Sequence, residues 1–119
     1  MGAYVRSTRK VAAHQLMAVI ELFRALGDPS RLEMMQRLSS GEPYTINSIS
    51  HGLSITRQGA RKHLQILADA DLITLESKGR DTSVRLNRET LDEGKAFIIE
   101  LEKRWDKRLE ALRQFVDGD

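Results

Sequence analysis

The apolar residues of this chain change period at Leu72. Before it they recur every three or four positions. From Ile73 they alternate with polar residues for the length of two short strands, and after residue 88 the helical spacing returns. A chain with that pattern packs helices against a small sheet. Ala12, Leu16, Ile20, Phe23 and Leu26 predict a helix over residues 11–26, ended by Gly27. Asp28 is a good helix cap, and Pro29 suits a first helical position, where its missing N–H is no loss. The helix they start carries Leu32, Met35 and Leu38 on one face and stops at Ser39-Ser40-Gly41. Thr45 is placed to cap a short third helix with Ile46, Ile49 and Leu53. A tight turn, Ser54-Ile55-Thr56, leads into a helix over residues 57–70 with Ala60, Leu64, Leu67 and Ala68 inward.

Two short helices joined by a tight turn make a helix-turn-helix, here residues 45–70. Residues 72–88 read as a hairpin. Ile73 and Leu75 alternate with Thr74 and Glu76, Val84 and Leu86 alternate with Ser83 and Arg85, and Lys78-Gly79-Arg80-Asp81 forms the tip. Residues 91–116 return to a helix, with Leu91, Ile98, Leu101, Trp105, Leu109, Leu112 and Val116 in a near-heptad stripe. The expected fold class is mainly α with a small β-hairpin wing: a winged helix-turn-helix between two flanking helices. A length of 119 residues allows one domain, 1–119, and a core so small that a partner copy is expected to cover what it leaves bare.

Charge is unevenly spread. Residues 1–10 hold three basic and no acidic side chains, and residues 54–88 hold seven basic against four acidic. Residues 89–119 reverse the balance, with six basic and nine acidic. Positive charge gathered around the helix-turn-helix and hairpin suits a phosphate-facing surface. The chain has no cysteine, which excludes disulfides, thiol chemistry and thiolate metal sites. It has no apolar run long enough to span a bilayer, and its first ten residues lack the apolar stretch of a signal peptide, so no membrane contact and a cytoplasmic location are expected. No nucleophile elbow, catalytic triad or phosphate-cradling glycine loop is present, so no enzyme activity is expected.

Two segments carry a resemblance. Leu26-Gly27-Asp28-Pro29-Ser30-Arg31-Leu32 resembles the opening motif of ArsR-type winged-helix repressors, and residues 56–73, TRQGARKHLQILADADLI, resemble that family's recognition helix and its exit into the wing. The likeness covers nearly the whole chain. It implies a homodimeric repressor that binds a palindromic operator on double-stranded DNA, and leaves open whether an effector is bound. Asp71 stands where the family usually has glycine, and Asp tolerates the left-handed backbone better than most residues. Arg104-Trp105-Asp106-Lys107-Arg108-Leu109 resembles the terminal helix of a metal-independent branch of the family. Other members bind metals through cysteines, or through Asp and His on the C-terminal helix. This chain has no cysteine, and no histidine beyond His63, so neither metal nor other cofactor is expected.

The expected DNA-contacting residues are Thr56, Arg57, Gln58, Arg61 and Lys62 at the start and outer face of the recognition helix, with Lys78 and Arg80 at the wing tip. Arg pairs well with guanine and Gln with adenine, while Lys and Thr suit phosphates. Arg6, Arg9 and Lys10 read as an unstructured tail rather than a backbone-contacting arm, and His63 reads as a hydrogen-bonded packing residue rather than a ligand. The expected dimer seam pairs Leu16, Ile20 and Phe23 with Ile98, Leu101, Trp105, Leu109 and Leu112. Two alternatives stand beside this reading: a winged-helix protein-interaction module without DNA binding, and a metal-gated sensor with His and carboxylate ligands. The basic, non-aromatic face of the recognition helix argues against the first, and the ligand inventory argues against the second.

Overall fold

The computed structural model describes the backbone of residues 2–118 and the side chains of residues 13–118. Helix α1 spans Gly2–Leu26, α2 Pro29–Leu38, α3 Ile46–Ile49, α4 Arg57–Asp69 and α5 Arg88–Asp117. Strands β1 (Tyr44–Thr45), β2 (Ile73–Lys78) and β3 (Asp81–Leu86) form one antiparallel sheet in the order β1-β3-β2. Mostly helical with a small sheet, this is the winged helix-turn-helix architecture.

The structure differs from the sequence reading in α1, in α2, in the sheet, and in α3, which ends at Ile49 and leaves Leu53 outside the helix. Helix α1 begins at Gly2, not residue 11, so the backbone of residues 6–10 is helical and not a tail. The side chains of Arg6, Arg9, Lys10 and Ala12 lie outside the described residues. The sheet has a third strand, because Tyr44 and Thr45 pair with Val84 and Ser83 directly before α3 begins. In α2, Leu32 is exposed and Met34 takes its place in the core beside Met35 and Leu38.

The core lies where α1, α2, α3, α4 and the sheet meet. Leu22, Met34, Ile49, Leu64, Leu67 and Leu72 are its largest fully buried side chains. Helix α1 has two apolar faces: Val19, Leu22 and Ala25 are buried in this core, while Leu16, Ile20 and Phe23 remain exposed. Helix α5 crosses α1 at Gly94. A Cβ there would meet the Leu22 methyls at 3.2 Å, so glycine sets how closely the two helices approach. Phe23 and Phe97 meet beside this crossing, with ring centroids 6.2 Å apart and planes tilted by 55°.

Capping fixes the helix starts and stops. Asp28 accepts from the backbone N–H of Ser30 and Arg31 at the start of α2. Thr45 and Ser48 form a capping box on α3. Helix α4 ends in a Schellman turn, in which Asp71 N–H donates to Ala68 O and Leu72 N–H to Leu67 O. Asp71 adopts φ +59°, the left-handed conformation, and its carbonyl accepts from Thr90 Oγ1 at 2.6 Å, tying the turn to α5. A left-handed Asp costs more than Gly. Asp71→Gly is therefore expected to raise stability by about 0.5–1 kcal/mol, since the carbonyl contact survives the change. Chemical denaturation checks this, and a loss of stability would contradict it.

Candidate nucleic-acid interface

The inner row of α4, Ala60, Leu64 and Leu67, is completely buried. Helical periodicity then sends Arg57, Gln58, Arg61 and Lys62 to the exposed side, and all four are exposed. Thr56, the N-cap of α4, accepts from Gly59 N–H at 2.9 Å through Oγ1. Its lone pair serves the helix, and its O–H remains able to donate outward. A Cβ on residue 59 would lie 3.1 Å from that oxygen, so Gly59 gives the cap its room.

Lys78 and Arg80 lie at the tip of the hairpin. Lys78 pairs with Asp81 across a two-residue turn, and Gly79 takes φ +61° at its first central position, as a type II′ turn requires. Both basic side chains are exposed. The structure thus gathers Thr56, Arg57, Gln58, Arg61 and Lys62 on one helix and sets Lys78 and Arg80 on a separate element, joined to it through the turn at Asp71.

Behind this surface, two arginines of α2 hold both helices of the motif. Arg37 Nη1 donates to Ile49 O at 2.9 Å and to His51 O at 2.6 Å, placing a cation on the last carbonyls of α3 and on the turn after it. Arg31 donates through Nε to Ala25 O at the end of α1, and its Nη1 lies 3.1 Å from His63 Nδ1 on α4. Asp28 Oδ2 lies 3.7 Å from the same His63 nitrogen. The sequence reading gave His63 a hydrogen-bonded packing role but missed its partners. Arg31 stands in the Leu26–Leu32 motif; that it meets a residue 32 positions later has no local signal. Among the described residues no three His, Asp or Glu side chains cluster as a metal would need.

The proposed seam residues Leu16, Ile20, Phe23, Ile98, Leu101, Trp105, Leu109 and Leu112 are all exposed in the single chain. From Ile98 to Gly118 every residue is exposed, Trp105 at 60% and Phe115 at 80%. About 30 Å of α5 therefore runs free of its own domain.

A buried apolar row behind a basic helix, with a basic-tipped hairpin beside it, defines a winged helix-turn-helix protein of the DNA-binding class. Known proteins agree. The helix-turn-helix domain family matches residues 26–76. The HTH-type transcriptional regulator YuzN of Bacillus subtilis is 37% identical over 76 residues, covering 59% of this chain and 83% of that protein. The arsenical resistance operon repressor of the same organism is 36% identical over 70 residues, covering 59% of this chain and 67% of that protein. The solved ArsR-like transcriptional regulator from Rhodococcus sp. RHA1 superposes with a TM-score of 0.74 at 26% identity, covering 84% of this chain and 93% of that one. The chain belongs to the ArsR-type family of transcriptional regulators, whose fold and function are those of DNA-binding proteins and not of enzymes. No helix among the described residues is long and apolar enough to cross a membrane.

The Asp28 carboxyl is held below its ordinary value of 3.8, chiefly by the backbone N–H of Arg31, with nearby positive charge and Ser30 N–H adding and desolvation opposing. A depressed carboxylate contributes stability above its unfolded pKa and loses it as pH falls through the folded one. Asp28→Asn keeps an oxygen to cap α2 but loses the charge. The variant is expected to melt below the wild type at neutral pH, with the gap closing as pH falls below about 3.8. Thermal melts across pH check this, and a gap that does not change with pH would contradict it.

Proposed function

We propose that this protein is a homodimeric repressor that binds a palindromic operator, reading bases with the N-terminal part of α4 and holding phosphates with α4 and the wing. The observation that carries this is the exposed set Arg57, Gln58, Arg61 and Lys62 on a helix whose opposite row is fully buried. Arg57 and Gln58 are proposed as the base readers, and Thr56, Arg61, Lys62, Lys78 and Arg80 as phosphate or groove contacts. Phosphate contacts supply affinity and base contacts supply choice of sequence. The names of the relatives support repression, which follows physically when a bound dimer excludes polymerase from its site.

The pairing is supported by the uncovered half of α5. Most helical stability in proteins comes from packing of an apolar face, and the stripe on this exposed half of α5 is left uncovered by its own chain. Chain dimensions agree: the radius of gyration is 19.6 Å, against about 13.5 Å for a compact chain of this length. A second copy that sets its Leu101, Trp105, Leu109 and Leu112 against this stripe, flanked by Leu16, Ile20 and Phe23, covers these faces about a two-fold axis. Two recognition helices then stand about one DNA turn, roughly 34 Å, apart. An effector that changes the seam would change this spacing and release the operator.

DNA fragments selected from a random pool provide the test. Affinity for the selected sequence is expected to fall steeply as salt rises. Arg57→Ala should lose about 1–3 kcal/mol on the selected sequence and relax preference at one base pair, while Lys78→Ala should weaken all sequences about equally. A pool that shows no enrichment, or an affinity indifferent to salt, would contradict the reading.

A further inference from the structure

We propose that His63 is a positioning residue for the recognition helix, locked by Arg31 so that the end of α1 and the reading face of α4 move as one body. This rests on the DNA-reading role proposed above for α4. The apolar row Ala60, Leu64 and Leu67 sets how deeply α4 sits and which face it turns outward, while the fine rotation about the helix axis is set also by directional contacts. Among the described residues, the contact between His63 Nδ1 and Arg31 Nη1, at 3.1 Å, is the one side-chain hydrogen bond that joins α4 to another element. It sits in the middle of α4, one residue beyond Lys62 and two beyond Arg61 on the outer face. A hydrogen bond there is directional and opposes rotation.

The anchor is itself immobilised. Arg31 reaches Ala25 O through Nε while its Nη1 holds His63, so a single planar guanidinium bridges the last turn of α1 and the middle of α4. Its own backbone N–H is fixed at 3.1 Å by the Asp28 carboxylate, which also lies 3.7 Å from His63 Nδ1. Helix α1 carries Leu16, Ile20 and Phe23, the exposed face assigned to the dimer seam. The lock therefore runs from seam to reading face. Base readout tolerates an error of only about 0.5 Å or 10–20° in the groups that carry it, so release of the lock is expected to lower sequence choice more than general affinity.

The inference also requires a proton position: arginine has only donors, so the lock holds only with the lone pair of His63 on Nδ1 and the ring hydrogen on Nε2. Nitrogen-15 NMR of the wild-type protein at neutral pH reads which ring nitrogen is protonated. A His63 tautomer with hydrogen on Nε2 supports the lock; hydrogen on Nδ1 overturns it.

The second arm uses His63→Leu, which fills the space without an acceptor, and His63→Asn, whose amide oxygen stands near the position of Nδ1. With wild-type dimer mass and cooperative melting as the check on folding, His63→Leu is expected to lose about tenfold in affinity for the selected DNA, the worth of one partly buried hydrogen bond to a charged group. It should change binding to unselected DNA less than threefold. His63→Asn is expected to recover most of the loss. Arg31→Lys keeps the charge but not the fork, and should behave like His63→Leu, so the inference stays open to test if the leucine variant fails to fold. Wild-type affinity for selected DNA in a folded His63→Leu variant, or equal losses on selected and unselected DNA, would overturn the inference while leaving the DNA-reading role intact. A wild-type protein that prefers no sequence would overturn both.

Discussion

Helix α4 can bury only one face, and Ala60, Leu64 and Leu67 commit that face to the core completely. Everything on the reading side depends on that commitment. The outward direction of Arg57, Gln58, Arg61 and Lys62 is the geometric complement of the buried row, and the axis of α4 is set by what the row packs against. Leu22 of α1, Met34 of α2 and Ile49 of α3 are the fully buried side chains contributed by the helices around it. The short α3 does not hold its own orientation. Arg37 supports it from behind by its two bonds to the carbonyls of Ile49 and His51, beside the burial of Ile49 in the core.

Where sequence and structure agree, one local signal sufficed. Asp28 followed by Pro29 is a start mark whose chemistry is complete within four residues, and the structure has α2 begin there. Asp71 occupies the left-handed turn where glycine would be expected, because the Schellman turn after α4 requires that conformation whatever the side chain. The alternation of Ile73, Leu75, Val84 and Leu86 against polar neighbours was enough to place the two long strands of the wing.

Disagreement arose where two readings of one pattern compete or where the partner is distant. Helix α1 is apolar on two faces: Leu16, Ile20 and Phe23, read as a seam, are exposed as that reading expects, but the core face of Val19, Leu22 and Ala25 was not read from the sequence. In α2, Leu32 and Met34 compete for the same core, and the choice is made by tertiary packing, which no periodicity within ten residues expresses. Strand β1 is two residues long and carries no alternation of its own; it exists because β3 offers a free edge. The junction of Asp28, Arg31 and His63 joins residues 32 positions apart, so only the folded chain reveals it.

The bare stripe on α5 carries the central proposal, that the chain pairs with a second copy which covers this helix. Sedimentation equilibrium of the wild type and of Trp105→Ala tests this most directly, because Trp105 is not among the proposed DNA contacts. Truncating a buried Trp typically costs about 3–5 kcal/mol, enough to disrupt a small dimer. The account predicts twice the 13.5 kDa chain mass for the wild type at micromolar concentration. It predicts a shift of Trp105→Ala toward the single-chain mass, with loss of affinity for the selected DNA. A wild type that sediments as a single chain, with Trp105→Ala binding that DNA as tightly, would contradict it.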